Sequence, residues 1–230
     1  MRRRLKWIIG AVVLVVAAAI GVGAYYVFGG SAPPPPKLKA RAPDASASST
    51  GGSPAGTWTV ATGPDTFVGY RMTELFAGET IHKTAVGRTP AVNGTMTLTP
   101  TTVESARVTA DLSQLKSDRG PRDSYLHNHA LETDTMPNAT FVLGAPASLP
   151  STPAPGAEVQ VPVTGKLTLH GVTRDVTLTL TARWNGSSVD VVGTAPVKLS
   201  DYSIETPKTA VVTADDHGSL ELQLHFVRAG

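Results

Sequence analysis

Cysteine is absent from the 230 residues. Its absence excludes a disulfide framework, a thiolate nucleophile, a cysteine-ligated zinc or iron–sulfur site, and a lipid-modified cysteine as membrane anchor. Strong charge of either sign is also missing: charged residues make up 17% of the chain and the net charge is +2. Part of that small excess sits in Arg2, Arg3, Arg4 and Lys6 at the extreme N-terminus, so it does not mark a nucleic-acid surface. The length suits one domain with appendages. A domain of this size buries enough of its surface to be stable outside the cytoplasm without disulfides.

After the basic cluster, residues 7–28 run from Trp7 to Phe28 without a charged side chain. At about 1.5 Å per residue, a helix of that length covers the roughly 30 Å hydrocarbon core of a bilayer. A cleaved signal peptide and an uncleaved signal anchor both begin this way. The length favours the anchor, because the run continues past Ala17, Ala18 and Ala19 into Tyr25, Tyr26 and Phe28, beyond the roughly 7–15 apolar residues of a signal peptide. The expected arrangement is a cytoplasmic basic tail (1–6), a transmembrane signal anchor (7–28) and everything later on the far side of the cell membrane. Lys37, Lys39 and Arg41 weaken that orientation bias slightly.

Residues 29–56 are dominated by Pro, Ala, Ser and Gly, with Pro33, Pro34, Pro35 and Pro36 in a row. Such a stretch cannot form a core and reads as an extended, partly flexible tether. From residue 57 to 230 the pattern changes to alternating segments. Met96 and Leu98 alternate with threonines; Ala106, Val108, Ala110 and Leu112 alternate with polar residues. Val159 through Leu169 alternates in the same way, a turn follows at His170 and Gly171, and Val176 through Trp184 answers it as a hairpin partner. Asn185-Gly186 turns the chain into another strand, and Leu220, Leu222, Leu224 and Phe226 mark the last. About eight strands are expected, all antiparallel. Residues 114–133 break the alternation and read as a long connection with one short helix over 124–130, of a length more often functional than accidental. Residues 145–156, rich in Pro, Ser and Ala, read as a disordered or exposed insertion.

The stretch Gly165-Lys166-Leu167-Thr168-Leu169-His170-Gly171-Val172-Thr173-Arg174-Asp175-Val176 resembles the signature hairpin of the YceI-like family. Three further stretches agree in order and spacing: Asp111 to Leu115; Arg122-Asp123 with Leu126; and Pro137-Asn138-Ala139-Thr140-Phe141. The resemblance covers residues 58–226. It implies an all-β, lipocalin-like antiparallel barrel with a long apolar interior that holds a polyisoprenoid or similar amphiphile, in a family of envelope proteins that are binders rather than enzymes. The family's first strand usually carries two histidines that Asp65-Thr66-Phe67-Val68-Gly69-Tyr70-Arg71 lacks, which bears on ligand identity.

An eight-stranded barrel is either packed solid or just wide enough for one slender ligand. By strand parity, the candidate lining is Phe67, Tyr70, Met96, Leu98, Val108, Leu126, Phe141, Leu167, Leu169, Leu178, Leu180 and Phe226, with Tyr70 placed to orient a polar head. The same residues could equally be ordinary core. His127 and His129, with Asp123 and Glu132 nearby, have no metal-site spacing and read as solvated polar residues. Asp215-Asp216-His217-Gly218 reads as a turn, without a nucleophile motif beside it. Arg122 and Asp123 suit a clamp over the barrel mouth. The expected function is a membrane-tethered binding protein enclosing a lipophilic ligand, a polyisoprenoid or quinone-like lipid, with no catalytic residues, metal or cofactor. The competing expectation is a packed barrel whose loops over 115–136 bind an unidentified protein.

Overall fold

The computed structural model describes residues 32–39, 52–77, 80, 82–210 and 212–229. Its strands are β1 (Gly56–Val60), β2 (Phe67–Phe76), β3 (Lys83–Thr89), β4 (Val92–Leu98), β5 (Thr102–Asp111) and β6 (Lys116–Ser117). They continue as β7 (Asn138–Leu143), β8 (Ala147–Ser148), β9 (Glu158–Leu169), β10 (Val172–Trp184), β11 (Ser188–Lys198) and β12 (Val212–Arg228). Four pairs of segments, β1/β2, β3/β4, β5/β6 and β7/β8, are halves of interrupted strands: β1 and β2 both lie along β12, β7 and β8 both along β5, and β3/β4 and β5/β6 run half against half between them. Together with β9 to β12 they form eight antiparallel staves in chain order. Pairing of β12 with both β1 and β2 closes the ring. Closure removes free sheet edges around most of the barrel.

The expected alternation is realised most fully in the β9–β10 hairpin. On its outer face Thr164 bonds Thr177 at 3.1 Å, Thr168 bonds Thr173 at 2.8 Å and Lys166 bonds Asp175 at 2.9 Å. Cross-strand pairs of this kind contribute roughly 0.2–1 kcal/mol each. The inner face carries Val161, Val163, Leu167, Leu169 and Leu178, all buried. The turn uses His170 and Gly171 at φ 49° and 71°, the left-handed region that glycine enters freely and other residues rarely.

Three interruptions fall at one level across neighbouring staves. Between β1 and β2 the Thr66 hydroxyl donates to Ala61 O at 2.6 Å and accepts from the His225 N–H at 3.3 Å. Between β3 and β4 comes Pro90, which has no N–H to give to a ladder. Between β5 and β6 a 3-10 turn, Leu112–Gln114, is capped by Asp111, whose carboxylate accepts from Ser113 N at 2.9 Å. Beyond these breaks the β2–β3–β6 end of the sheet stands apart from β7. Helix α1 (Gly120–Tyr125), which runs on into a π-helical turn (Leu126–Ala130), is held over its inner face. The helix starts earlier than the expected 124–130 because Pro121 lies in its first turn, where a missing N–H costs nothing.

Residues 145–156 are neither disordered nor wholly exposed. β8 pairs with β5, Ala147 is buried, and Leu149 N–H donates to Thr101 O at 2.8 Å. The fold also takes in part of the segment read as tether. Pro54 is fully buried and its carbonyl accepts from Trp58 Nε1 at 2.9 Å. Residues 34–39 carry no regular structure but lie on the barrel's outside, where Arg88 donates to Pro34 O at 3.0 Å and Arg183 to Lys39 O at 2.6 Å. Asp215 to Gly218 is not a turn: it lies within β12, at a bulge between Ala214 and Gly218. Among the described residues no helix is long and apolar enough to cross a membrane. The expected tail and anchor, 1–6 and 7–28, lie outside the described residues.

Candidate ligand-binding cavity

The barrel encloses a cavity of about 170 Å³. It begins under the loops carrying Pro54, Leu149 and Pro153, passes Trp184 and Phe226, and ends among Ala110, Ala139 and Leu220. Its wall is hydrocarbon almost throughout. The one charged residue along it, Glu221, turns its carboxylate to Arg71 and Arg88, which pair with it at 2.5 and 3.1 Å. Trp184 keeps its indole N–H satisfied by Gly186 O at 2.9 Å. An apolar wall with satisfied polar atoms favours a dry interior that accepts hydrocarbon.

Of the sequence candidates, Met96, Leu98, Val108 and Phe141 line this cavity, as do Leu167, Leu178, Leu180 and Phe226. Four do not. Phe67 faces outward, its ring 4.1 Å from the Arg88 guanidinium carbon. The break at residues 61–66 resets the parity, so Val68 takes the inward position. Leu126 and Leu169 belong to a second apolar cluster below the cavity, with Leu112, Val197, Tyr202 and Ile204. Tyr70 is inward but does not line the cavity, although its cross-strand partner Leu220 does; its partner on the other side is Gly87. The parity list also passed over wall residues that the same alternation marks, Val161, Val163, Leu222 and Leu224 among them. Pro54, Leu149 and Pro153 reach the wall from loops and carry no periodic signal.

Gly165 lets the Phe141 ring lie flat on the sheet, since a Cβ there would be 2.5 Å from Phe141 Cζ. The ring, on the rung of Val108 and Leu167, leans over Gly165 and closes part of the tunnel. Met96, flexible and polarisable, gives another stretch of wall that can repack.

The capped end is polar. Arg122 on α1 donates to both oxygens of Glu74, at 2.8 and 2.7 Å, with Asp118 and Ser117 on its remaining nitrogen. The expected clamp is therefore present, with Glu74 of β2 as partner in place of Asp123. Asp123 instead accepts from Ser117 N and Oγ, at 2.9 and 2.6 Å. Burial opposes the charge on Arg122, but the bond and field of Glu74 raise its pKa above the usual arginine value. For Tyr70 burial acts in the opposite sense and raises the phenol well above the ordinary tyrosine value, with Arg122 acting against it. A second fastening joins the cap to the β9–β10 turn: His170 Nε2 lies 3.2 Å from Glu132 and its Nδ1 3.2 Å from Tyr202 O. His127 is engaged with Thr133 and Asp134, and His129 lies against the Tyr125 ring. Among the described residues no three metal-binding side chains converge.

With this geometry in place, comparison with known proteins finds a matching family model, the YceI-like domain, over residues 58–226. A UPF0312 protein of Pseudomonas putida strain W619 is 31% identical over 127 residues, which cover 51% of this chain and 62% of that protein. One from Pseudomonas syringae pv. syringae strain B728a is 27% identical over 132 residues, covering 54% and 65%. The chain thus spans under two thirds of the length of these relatives. Among solved structures, a polyisoprenoid binding domain from Saccharophagus degradans superposes with a TM-score of 0.58 at 17% identity, covering 75% of this chain and 98% of that one. Burkholderia cenocepacia BcnA gives 0.50 at 23%, covering 70% and 96%. At these identities the likeness is one of fold.

Proposed function

The chain belongs to the YceI-like domain family, and from that premise we propose that it is a membrane-tethered, extracytoplasmic binding protein that encloses a lipophilic ligand, a polyisoprenoid or quinone-like lipid, inside its barrel. The observation that carries this reading is the cavity itself: a hydrocarbon-walled space along the barrel with no unsatisfied polar group on its wall. The polyisoprenoid binding of the Saccharophagus degradans domain, on the same fold, supports it. The tether rests on the sequence, where residues 7–28 suit a signal anchor and the basic cluster before them suits a cytoplasmic N-terminus.

Binding follows from burial alone and needs no catalytic group. At roughly 0.8 kcal/mol per buried methylene, about ten enclosed carbons supply ~8 kcal/mol gross, the equivalent of a micromolar dissociation constant before ordering costs are subtracted. A cavity of about 170 Å³ is below the usual 300–1,000 Å³ of small-molecule sites, so a long tail would have to displace wall side chains such as Met96.

The test is native mass spectrometry of the full chain, purified gently from its own host envelope, followed by denaturation and identification of released molecules. A stoichiometric lipid that leaves on unfolding is the expected result. Repeated recovery of protein alone, with lipid analogues also failing to bind, would overturn the carrier reading in favour of a barrel that acts through its loops.

A further inference from the structure

We propose that the Tyr70 hydroxyl receives the polar head of the enclosed lipid, and that this head is a neutral oxygen function, a quinone carbonyl or an alcohol, rather than a diphosphate. The inference rests on the carrier reading and specifies which lipids the tunnel accepts.

Three side-chain polar atoms are buried without a hydrogen-bond partner among the described residues: Tyr70 Oη, Arg88 Nε and Asn185 Oδ1. Arg88 is on the outer face with Glu221, and Asn185 is in the β10–β11 turn. Only Tyr70 points into the barrel. Its neighbour two residues back, Val68, and its cross-strand partner Leu220 both line the cavity, whereas Tyr70 itself is not part of the wall and its hydroxyl feels the charges of the capped end, so a head reaching it would pass between wall and cap. Its position is built: the ring lies on Gly87, where a Cβ would come within 2.4 Å of Tyr70 Cε1. A buried hydroxyl with no partner is costly, and an acceptor brought in by a ligand would remove that cost. At the opposite end the wall residues Pro54, Leu149 and Pro153 offer no side-chain donor, and the Trp184 indole is already bonded.

The surroundings decide the charge of the head. The hydroxyl feels one guanidinium, Arg122, and three carboxylates, Glu74, Asp118 and Asp123, and a second guanidinium, Arg119, stands 3.7 Å from Asp118. The Arg122 guanidinium is already engaged by Glu74, Asp118 and Ser117. Among the described residues a diphosphate arriving here would meet three carboxylates, and the two guanidiniums beside them, Arg122 and Arg119, already face those carboxylates. A carbonyl or alcohol oxygen needs only the one donor that Tyr70 has spare.

Geranylgeraniol, geranylgeranyl diphosphate and the corresponding hydrocarbon share one tail and differ in the head. Each is titrated into the full chain in mild detergent, wild type and Tyr70→Phe, with bound ligand read by native mass spectrometry and folding checked by thermal melting. The wild type is expected to prefer the alcohol to the hydrocarbon by roughly two- to tenfold, the scale of one net hydrogen bond. Tyr70→Phe should abolish that preference and leave hydrocarbon binding unchanged. An alcohol preference that survives in Tyr70→Phe, or tightest binding of the diphosphate by the wild type, overturns the inference and leaves the carrier reading intact. If none of the three binds the wild type, the carrier reading itself fails.

Discussion

Removing the cation from the Arg122–Glu74 pair should be the most damaging single change at the capped end of the barrel. The two side chains are 11% and 9% exposed and share two bonds of 2.8 and 2.7 Å. At a charge separation of about 4 Å and an effective dielectric of about 20 their attraction is ~4 kcal/mol. In Arg122→Met the Glu74 carboxylate would stay in place, nearly buried and without its counter-ion, a situation that costs roughly 3–5 kcal/mol. The double variant Arg122→Met, Glu74→Leu removes both charges together with their desolvation, and should return to within about 1–2 kcal/mol of wild type. Equilibrium urea unfolding, followed by tryptophan fluorescence, reads both. A single-variant loss below about 1 kcal/mol, or a double variant as unstable as the summed singles, would refute the reasoning, because then the pair would not be acting as a desolvated unit.

Ala110, 2% exposed at the cavity floor, is the place to shorten the tunnel. Ala110→Leu should lower the lipid recovered by native mass spectrometry while shifting the melting temperature little, since the added carbons enter existing space. Gly165→Ala should instead destabilise the fold by roughly 1–3 kcal/mol in urea, because its Cβ would lie 2.4 Å from Val142 O as well as 2.5 Å from the Phe141 ring. Asp216 accepts from the Ser200 hydroxyl and N–H, and these bonds hold its pKa below the ordinary carboxylate value. Its contribution is therefore complete above the unfolded value of about 3.9 and lost as pH falls through the folded one; Ser200→Ala should move its NMR titration back up. Hydrogen exchange should be faster over residues 149–157 at the loop mouth than over the cap at 120–130, the loops having no fastening comparable to Arg122–Glu74.

The barrel was legible because its long strands keep their alternation over most of their length, broken in β12 only at the bulge between Ala214 and Gly218, and the β9–β10 hairpin carries both the parity and the family resemblance. Site residues on their regular stretches, Leu167, Leu178, Leu180 and, beyond the bulge, Phe226, accordingly reached the wall. Phe67 did not, because parity counts only within an unbroken strand and the irregular backbone before β2 shifts the phase. Leu169 has the right phase but the wrong depth: it lies past the floor, and alternation says nothing of height along the barrel. The Arg122–Glu74 pair joins residues 48 positions apart. No local pattern announces it, so the sequence reading set Arg122 with its neighbour Asp123 and missed Glu74. Pro54 and Leu149 come from stretches that composition alone marks as linker, although burial of a few side chains is enough to fold such a segment over a mouth.

The two ends of the barrel are unequal in a way that gives an enclosed lipid a direction. At one end a buried ion pair and the His170–Glu132 contact fasten helix α1 and the segment after it over the closed end of the barrel. At the other, irregular segments of proline, alanine and leucine cover a hydrocarbon wall, held by single backbone bonds such as Leu149 N–H to Thr101 O and Gly156 N–H to Trp184 O, at 2.8 and 2.7 Å. Opening the capped end means exposing charges that have lost their partners, whereas opening the loop end costs a few neutral hydrogen bonds that water can replace. Under the proposed function a tail would therefore leave by the loop end, and a molecule that enters head first would bring its oxygen to Tyr70. A diphosphate entering in that orientation would have to give up its water at the closed end, beside Glu74, Asp118 and Asp123. The field at Tyr70 and the weakness of the mouth thus act on the same choice: one decides which lipid can reach the closed end, the other by which route.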